Sequence, residues 1–157
     1  MSVSIKLEGV GSVQAVFREL ADEIGDKKAN SKILIPAVRE AMKPVLAKAR
    51  TDAPVDTGGL KRSLQVEARR PNRRDKRSKY IANTDTVISL VTTAPGKKLA
   101  KLGIKSDARA IAQEFGTARN PAHPYLRAAL ESQSTSVVNN LAGILARRID
   151  KYKKANL

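Results

Sequence analysis

Val3, Ile5 and Leu7 alternate with Ser4 and Lys6, the period of a half-buried strand, and Gly9 and Gly11 close that run. Ser12 then offers a helix N-cap. Val13, Val16, Phe17, Leu20 and Ile24 recur at helical spacing, and Gly25 can end the helix in a left-handed cap. The polar run from Asp26 to Lys32 reads as a connection, with Asn30 or Ser31 available to cap a second helix. Along that helix Leu34, Val38, Ala41, Met42, Val45 and Ala49 form one stripe, and Arg39, Glu40, Lys43 and Lys48 form the other. Pro36 suits a first turn. Pro44 removes a backbone donor and crowds the turn before it, so a kink or a restart is expected there. The helix should stop near Asp52, because the residue before Pro54 is driven from helical backbone angles.

Residues 53–64, APVDTGGLKRSL, separate this helix from an alternating stretch in which Leu64, Val66 and Ala68 oppose Gln65, Glu67 and Arg69. That stretch is a predicted strand. A second strand is predicted within YIANTDTVISLVTT at 80–93, where the near-continuous apolar run from Val87 to Val91 suggests a central position in a sheet. The two strands would make a long hairpin whose tip is residues 69–79, RRPNRRDKRSK, with nothing to bury. Residues 94–106 read as another basic loop, and Ala108 to Phe115 as a short helix ended by Gly116. Pro121 and Pro124 then force an extended approach to a last helix. Its stripe runs through Leu126, Ala129, Leu130, Val137, Leu141, Ile144, Leu145, Arg148 and Tyr152. About 30 helical residues would reach about 45 Å, more than one small domain covers, so part of this helix is expected to pack on another subunit. Val137, Leu141, Ile144 and Leu145 are the interface candidates. The order β, α, α, β, β, α, α gives an α+β class: a small antiparallel sheet with a long hairpin, packed against two to three helices, and a long C-terminal helix. Residues 1–157 are expected to be a single domain.

Composition narrows the function. The chain of 157 residues is 41% hydrophobic but only 3% aromatic and lacks tryptophan, so Leu, Ile, Val and Ala must build its core, and Phe17 and Phe115 are expected to be buried in it. It has no cysteine, which removes disulfides, thiolate catalysis and cysteine-ligated zinc. Thirty Lys and Arg against fifteen Asp and Glu give a net charge of +15. Such an excess calls for a polyanion, an acidic protein or an anionic surface as partner. The N-terminus lacks a signal-peptide pattern and no stretch has the length of a membrane span, so a soluble protein made inside the cell, with no membrane partner, is expected.

Candidate chemistry is sparse. Asp52 and Asp56 flank APV, but general acid/base or metal chemistry would need further ligands, and the chain has a single histidine, His123, far away in sequence. Asp56 more simply caps the turn beginning at Thr57. TGGLKRS lacks the spacing of a nucleotide-binding P-loop and follows a predicted helix rather than a strand, so Gly58 and Gly59 read as a turn. No cofactor or metal is expected, and an enzyme is disfavoured. The basic loops remain, with Arg69, Arg70, Arg73, Arg74, Lys76, Arg77 and Lys79 in the first and Lys97 and Lys98 in the second. No recognition helix, zinc module or set of stacking aromatics accompanies them, which leaves phosphate attraction without sequence preference, an acidic protein partner or plain solvation.

Two stretches go further. APVDTGGLKRSL at 53–64, preceded by AMKPVLAKAR, and EFGTARNPAHPYLRAAL at 114–130 together resemble the HK97 gp10-like family of tailed-bacteriophage proteins, over roughly residues 5–150. The resemblance implies a structural virion protein of the neck, a tail completion or head-tail joining component. It would form a homo-oligomeric ring, expected to be hexameric, at the head-proximal end of the tail. Its partners would be other neck, connector and tail-tube proteins, and phage DNA in the channel without sequence specificity. A tail terminator that stops tube growth is the near alternative, and a free nonspecific nucleic-acid-binding protein the alternative of another class. On the family reading Pro54, Asp56, Thr57, Gly58 and Leu60 belong to a hinge. Glu114, Phe115, Gly116 and Thr117, with Pro124, Tyr125 and Leu126, dock the last helix. Tyr125 stands where the family often has phenylalanine, and the 69–79 insertion is unusually basic.

Overall fold

The computed structural model describes residues 10–55, 58–104 and 109–156. The strand expected at Val3 to Leu7, and Asp56 and Thr57 of the hinge, lie outside the described residues. The chain divides into two compact units, one of Met1–Ala41, Ala68–Leu90 and Thr135–Leu157 and the other of Met42–Glu67 and Val91–Ser134.

The elements follow the predicted order with local changes. Helix α1 (Val10–Ile24) starts two residues before the cap expected at Ser12 and ends at Gly25, whose φ of +88° only glycine adopts easily. The expected connection at 26–32 is instead helical. A single turn, α2 (Asp26–Ala29), runs into a π-helical turn (Asn30–Leu34) and then α3 (Ile35–Ala41). Burial explains it, because Ala29, Ile33, Ala37 and Ala41 are essentially inaccessible and fall every four residues. In a straight α-helix that spacing drifts by about 40° per step. The π-helical turn widens the helix locally and offsets the drift. It also moves the buried stripe one residue upstream of the expected Leu34 and Val38, which are half-buried.

Met42 interrupts the helix, and α4 (Lys43–Asp52) restarts with Pro44 in its first turn, where the missing N–H costs nothing. A short helix, α5 (Gly59–Ser63), leads into β1 (Leu64–Arg69), which pairs with β2 (Ile88–Thr93) in an antiparallel two-stranded sheet. With two strands among the described residues, β2 has no central position, and all six of its residues are half-buried. Tyr80 to Thr86 stays outside the strand. Asp85 instead accepts the Ala82 N–H at 2.8 Å in a turn, and Tyr80 is 72% exposed. The expected loop at 94–106 contains α6 (Gly96–Lys101), anchored by buried Leu99 and ended by Gly103 at φ +66°, with Ile104 N–H returning to the Leu99 carbonyl at 2.9 Å. Helices α7 (Arg109–Phe115) and α8 (Leu126–Asn156) complete the chain.

In the first unit the core is Leu20, Ile33, Ala37, Leu145 and Ile149, with Phe17, Ile24, Leu34, Leu141, Ile144 and Tyr152 packed against it. Leu145 is thus taken up by the chain's own core, and Leu141 and Ile144 lie against it. Glu40 holds the same stretch of α8, accepting from Arg147 at 2.6 Å and from two nitrogens of Arg148 at 2.6 and 3.0 Å. These bonds, chiefly that from Arg148, lower the Glu40 carboxyl below its ordinary value. The pair is accessible, so it fixes the register of α8 on α3 more than it adds stability. In the second unit Val45, Ala49, Leu64, Leu99, Tyr125 and Ala129 are buried. Between Leu130 and Asn140, α8 buries no residue fully, and Leu130 is 48% exposed.

Candidate functional site

The loop between the strands is not the bare solvated run that its charge suggests. Asn72 and Asp75 build it. Asn72 Oδ1 accepts the backbone N–H groups of Arg74 and Asp75, both at 2.9 Å, and an Asp75 carboxylate oxygen accepts the Asn72 N–H at 2.7 Å. The Arg69 guanidinium, at the end of β1, closes on both Asp75 oxygens in a forked pair. A 3₁₀ turn over Asp75–Arg77 follows, and Lys76 Nζ reaches the Asn83 carbonyl at 3.3 Å. Lys79 Nζ stands 5.0 Å from the Tyr80 ring centre.

The predicted basic residues therefore split into two groups. Arg69 and Lys76 brace the loop, whereas Arg70, Arg73, Arg74 and Arg77 are exposed on it. Asp75 and Asn72 were missed by sequence reasoning. Their signal was an Asx-turn spacing of three residues inside a run noticed only for its charge.

The brace is acid-sensitive. The Arg69 hydrogen bond first, and the Asn72 N–H second, hold the Asp75 carboxyl at about 2, below the ordinary 3.8. A folded-state value below the unfolded one stabilises wherever the group is ionised, so the contribution is complete above about pH 4 and is lost as pH falls through about 2. Amide protection at Arg74 and Ser78 should accordingly hold from neutral pH to about pH 4 and then collapse. Asp75→Asn should show the unprotected loop already at pH 7, by hydrogen exchange.

Lys97 and Lys98 sit on α6, both exposed, and Lys98 Nζ donates to Gln65 Oε1 at 2.6 Å. In the motif at 53–64, Gly58 takes φ +74° ahead of α5, beside half-buried Pro54 and Leu60. The Arg50 guanidinium reaches the Leu64 carbonyl at 2.8 Å, and the buried Ser63 donates to the Leu60 carbonyl at 2.6 Å. These bonds fix a helix-to-strand turn.

The second motif forms a latch at the start of α8. Tyr125, preceding the helix, has no side-chain acceptor suited to capping its free N–H groups. The buried Glu114 carboxylate, from the end of α7, takes that part. Its Oε2 accepts from Tyr125 N at 2.9 Å and Leu126 N at 2.8 Å, and its Oε1 from Arg127 N at 3.0 Å. Gly116, at φ +75°, turns the chain away, Thr117 Oγ1 accepts from Arg119 N and Asn120 N, and His123 N–H returns to the Gln113 carbonyl at 2.7 Å. Pro124 and the His123 side chain stand exposed on this excursion.

Phe115 does not share in the docking. Contrary to the expectation of burial, it is 67% exposed, and Ile111 one turn earlier is 69% exposed. The reason is the latch itself, because turning Glu114 inward rotates the next side chain of a helix by about 100°.

Tyr125 is buried, and its hydroxyl has no hydrogen-bond partner among the described residues. Burial, and after it the Glu114 charge, push that phenol up to about 12. Tyr125→Phe removes an unsatisfied buried hydroxyl and keeps the ring, so it should stabilise the protein by about 1 kcal/mol. Thermal denaturation should show a rise of about 2–4 °C.

Among the described residues no group of three or more His, Cys, Asp or Glu is placed to hold a metal ion, and no helix is long and apolar enough to cross a membrane. The described residues present an ordered loop with exposed arginines and a fixed start to a long helix.

No curated protein and no solved structure matches the chain. A family model does, over residues 15–116, and its description reads "Bacteriophage HK97-gp10, putative tail-component". The match takes in most of α1, the helices from α2 to α7, the 53–64 turn, the whole hairpin with its basic loop, and the Glu114 of the latch, and it ends before α8. The chain belongs to the bacteriophage HK97-gp10 family of phage tail components.

Proposed function

We propose that the protein is a tail completion subunit that forms a ring at the head-proximal end of the phage tail and joins it to the filled head. The observation that carries this reading is the braced loop in a tail-component chain. Asp75 and Asn72 order the loop so that Arg73, Arg74 and Arg77 project from it. An ordered loop that presents several exposed arginines is suited to meet a fixed anionic surface, whether packaged DNA or the acidic rim of an adjoining ring. The long stretch of α8 with no fully buried residue supports completion by neighbouring copies. A hexamer would match the symmetry of a tail tube.

Electron microscopy of particles from a phage lacking this gene tests the proposal. Filled heads beside detached tails of normal length are the expected result, tails of abnormal length would point to a terminator instead, and normal infectious virions would overturn the assignment. The exposed arginines also favour a second reading, a nonspecific nucleic-acid-binding protein acting free in the cell. That reading requires the isolated chain to bind duplex DNA with a steep salt dependence, lost when Arg73, Arg74 and Arg77 become serine.

A further inference from the structure

The first unit contains a slot of about 240 Å³ lined mainly by Phe17, Leu34, Leu141, Ala142 and Leu145. Its walls are mostly apolar carbon, and Gln14 and Arg18 complete the lining. A cavity of about 150 Å³ with such a lining accepts a benzene ring, so this one has room for a phenyl side chain. The second unit carries a matching projection. Ile111 and Phe115 lie four residues apart on α7, and each is about two-thirds exposed. Exposed aromatic side chains with an aliphatic neighbour are typical anchors of protein interfaces.

Charge says which occupant suits the slot. A chain of net charge +15 repels its own copies, so a contact between copies must be apolar or must use one of its few acidic tracts. The slot meets both conditions. The slot itself carries one charge, Arg18, but Asp22 and Asp26, both exposed, line a neighbouring hollow together with Phe17 and Arg18, with Lys27 beside them. Beyond Phe115 the chain exposes Arg119. An apolar anchor with a basic flank thus faces an apolar slot with an acidic flank.

We infer that Phe115, with Ile111, inserts into the Phe17–Leu34–Leu141–Leu145 slot of a second copy, with Arg119 beside that copy's Asp22 and Asp26. Anchor and slot are different surfaces, so the contact is heterologous, the type that generates closed rings when the rotation closes. It deepens the ring reading and rests on it. It also gives the second motif two duties, with Glu114 turned inward to hold α8 and Phe115 turned outward to hold the neighbour.

The absence of cysteine from the sequence makes the test clean. Ala118→Cys chains, which keep Phe115, are mixed with Ala142→Cys chains and treated with a short bis-maleimide, while sedimentation reports the oligomeric state of the wild-type chain. The expected result is a cross-linked dimer in the mixture and none from Ala118→Cys alone. Phe115→Asp, at an exposed position where folding is not at stake, should weaken self-association by about 30-fold or more, the effect of losing an interface hot spot. Ala142→Phe, which fills the slot, should do the same. Cross-linking of Ala118→Cys to itself would overturn the heterologous contact. Oligomers without any cross-link would overturn the anchor and slot but leave the ring standing. A wild-type chain that stays monomeric at every concentration, with no cross-link, would overturn both.

Discussion

Replacing Glu114 with alanine is expected to destabilise the protein by about 3 kcal/mol, lowering the denaturation midpoint by about 6–12 °C. Glu114 is 7% exposed, and its carboxylate accepts three backbone N–H groups at 2.8 to 3.0 Å, from the residue that precedes a 31-residue helix and from the first two residues of that helix. Hydrogen bonds to a charged acceptor contribute about 1.5–3 kcal/mol each, and a negative charge here is further favoured by the helix dipole. The three do not add in full, because Arg127 is exposed and water can reach its N–H. Tyr125 is buried, and water cannot take over its donor. Glu114→Gln keeps an acceptor oxygen but loses the charge, so its cost should fall to about half. A shift below about 2 °C for the alanine variant would mean that α8 is fixed by other contacts and that the latch is incidental.

Gly116→Ala should cost about 2–3 kcal/mol, and two independent terms contribute. The φ of +75° costs an L-residue about 1–2 kcal/mol. The added Cβ would then stand 2.8 Å from the Ala122 backbone nitrogen and 3.2 Å from the Asn120 carbonyl oxygen. Both are main-chain atoms of the 117–124 excursion, so the excursion must move as a whole. Gly58 and Gly103 supply the control. They have φ of +74° and +66°, yet a Cβ at either meets nothing within 4 Å. Gly58→Ala and Gly103→Ala should therefore show the backbone term alone, about 1 kcal/mol. Equal losses at the three positions, by chemical denaturation, would remove the close-packing argument at Gly116.

Much of this architecture could be read from local chemistry. Gly25 and Gly116 end helices as their positions predict, Pro44 restarts one, and the strand at 64–69 follows its alternation. What escaped was set by phase or by partners distant in sequence. The π-helical turn at Asn30–Leu34 shifts the buried stripe by one residue, which no fixed period detects. Helix α6 hid in a run of lysines because its single anchor, Leu99, makes no repeat. The loop at 69–79 was read for its seven positive charges, while its one acid, Asp75, is the residue that orders it.

The motif at 114–130 shows the same limit. Glutamate and phenylalanine side by side at the end of a short helix look like a polar residue outside and an apolar one inside. The structure reverses them, because three helix donors of α8 need an acceptor and α8 provides none at Tyr125. An unsatisfied buried donor costs about 1–3 kcal/mol, comparable with what burying one aromatic ring returns. The acceptor therefore goes in, and the ring is left for another surface.

Labelling of the chain in intact virions tests its placement most directly. Gold-conjugated antibody raised against this protein, viewed by negative-stain electron microscopy, should mark a single point on each particle, where the tail meets the head. Label at the distal tip, along the tube, or absent from purified particles would contradict a ring at the head-proximal end.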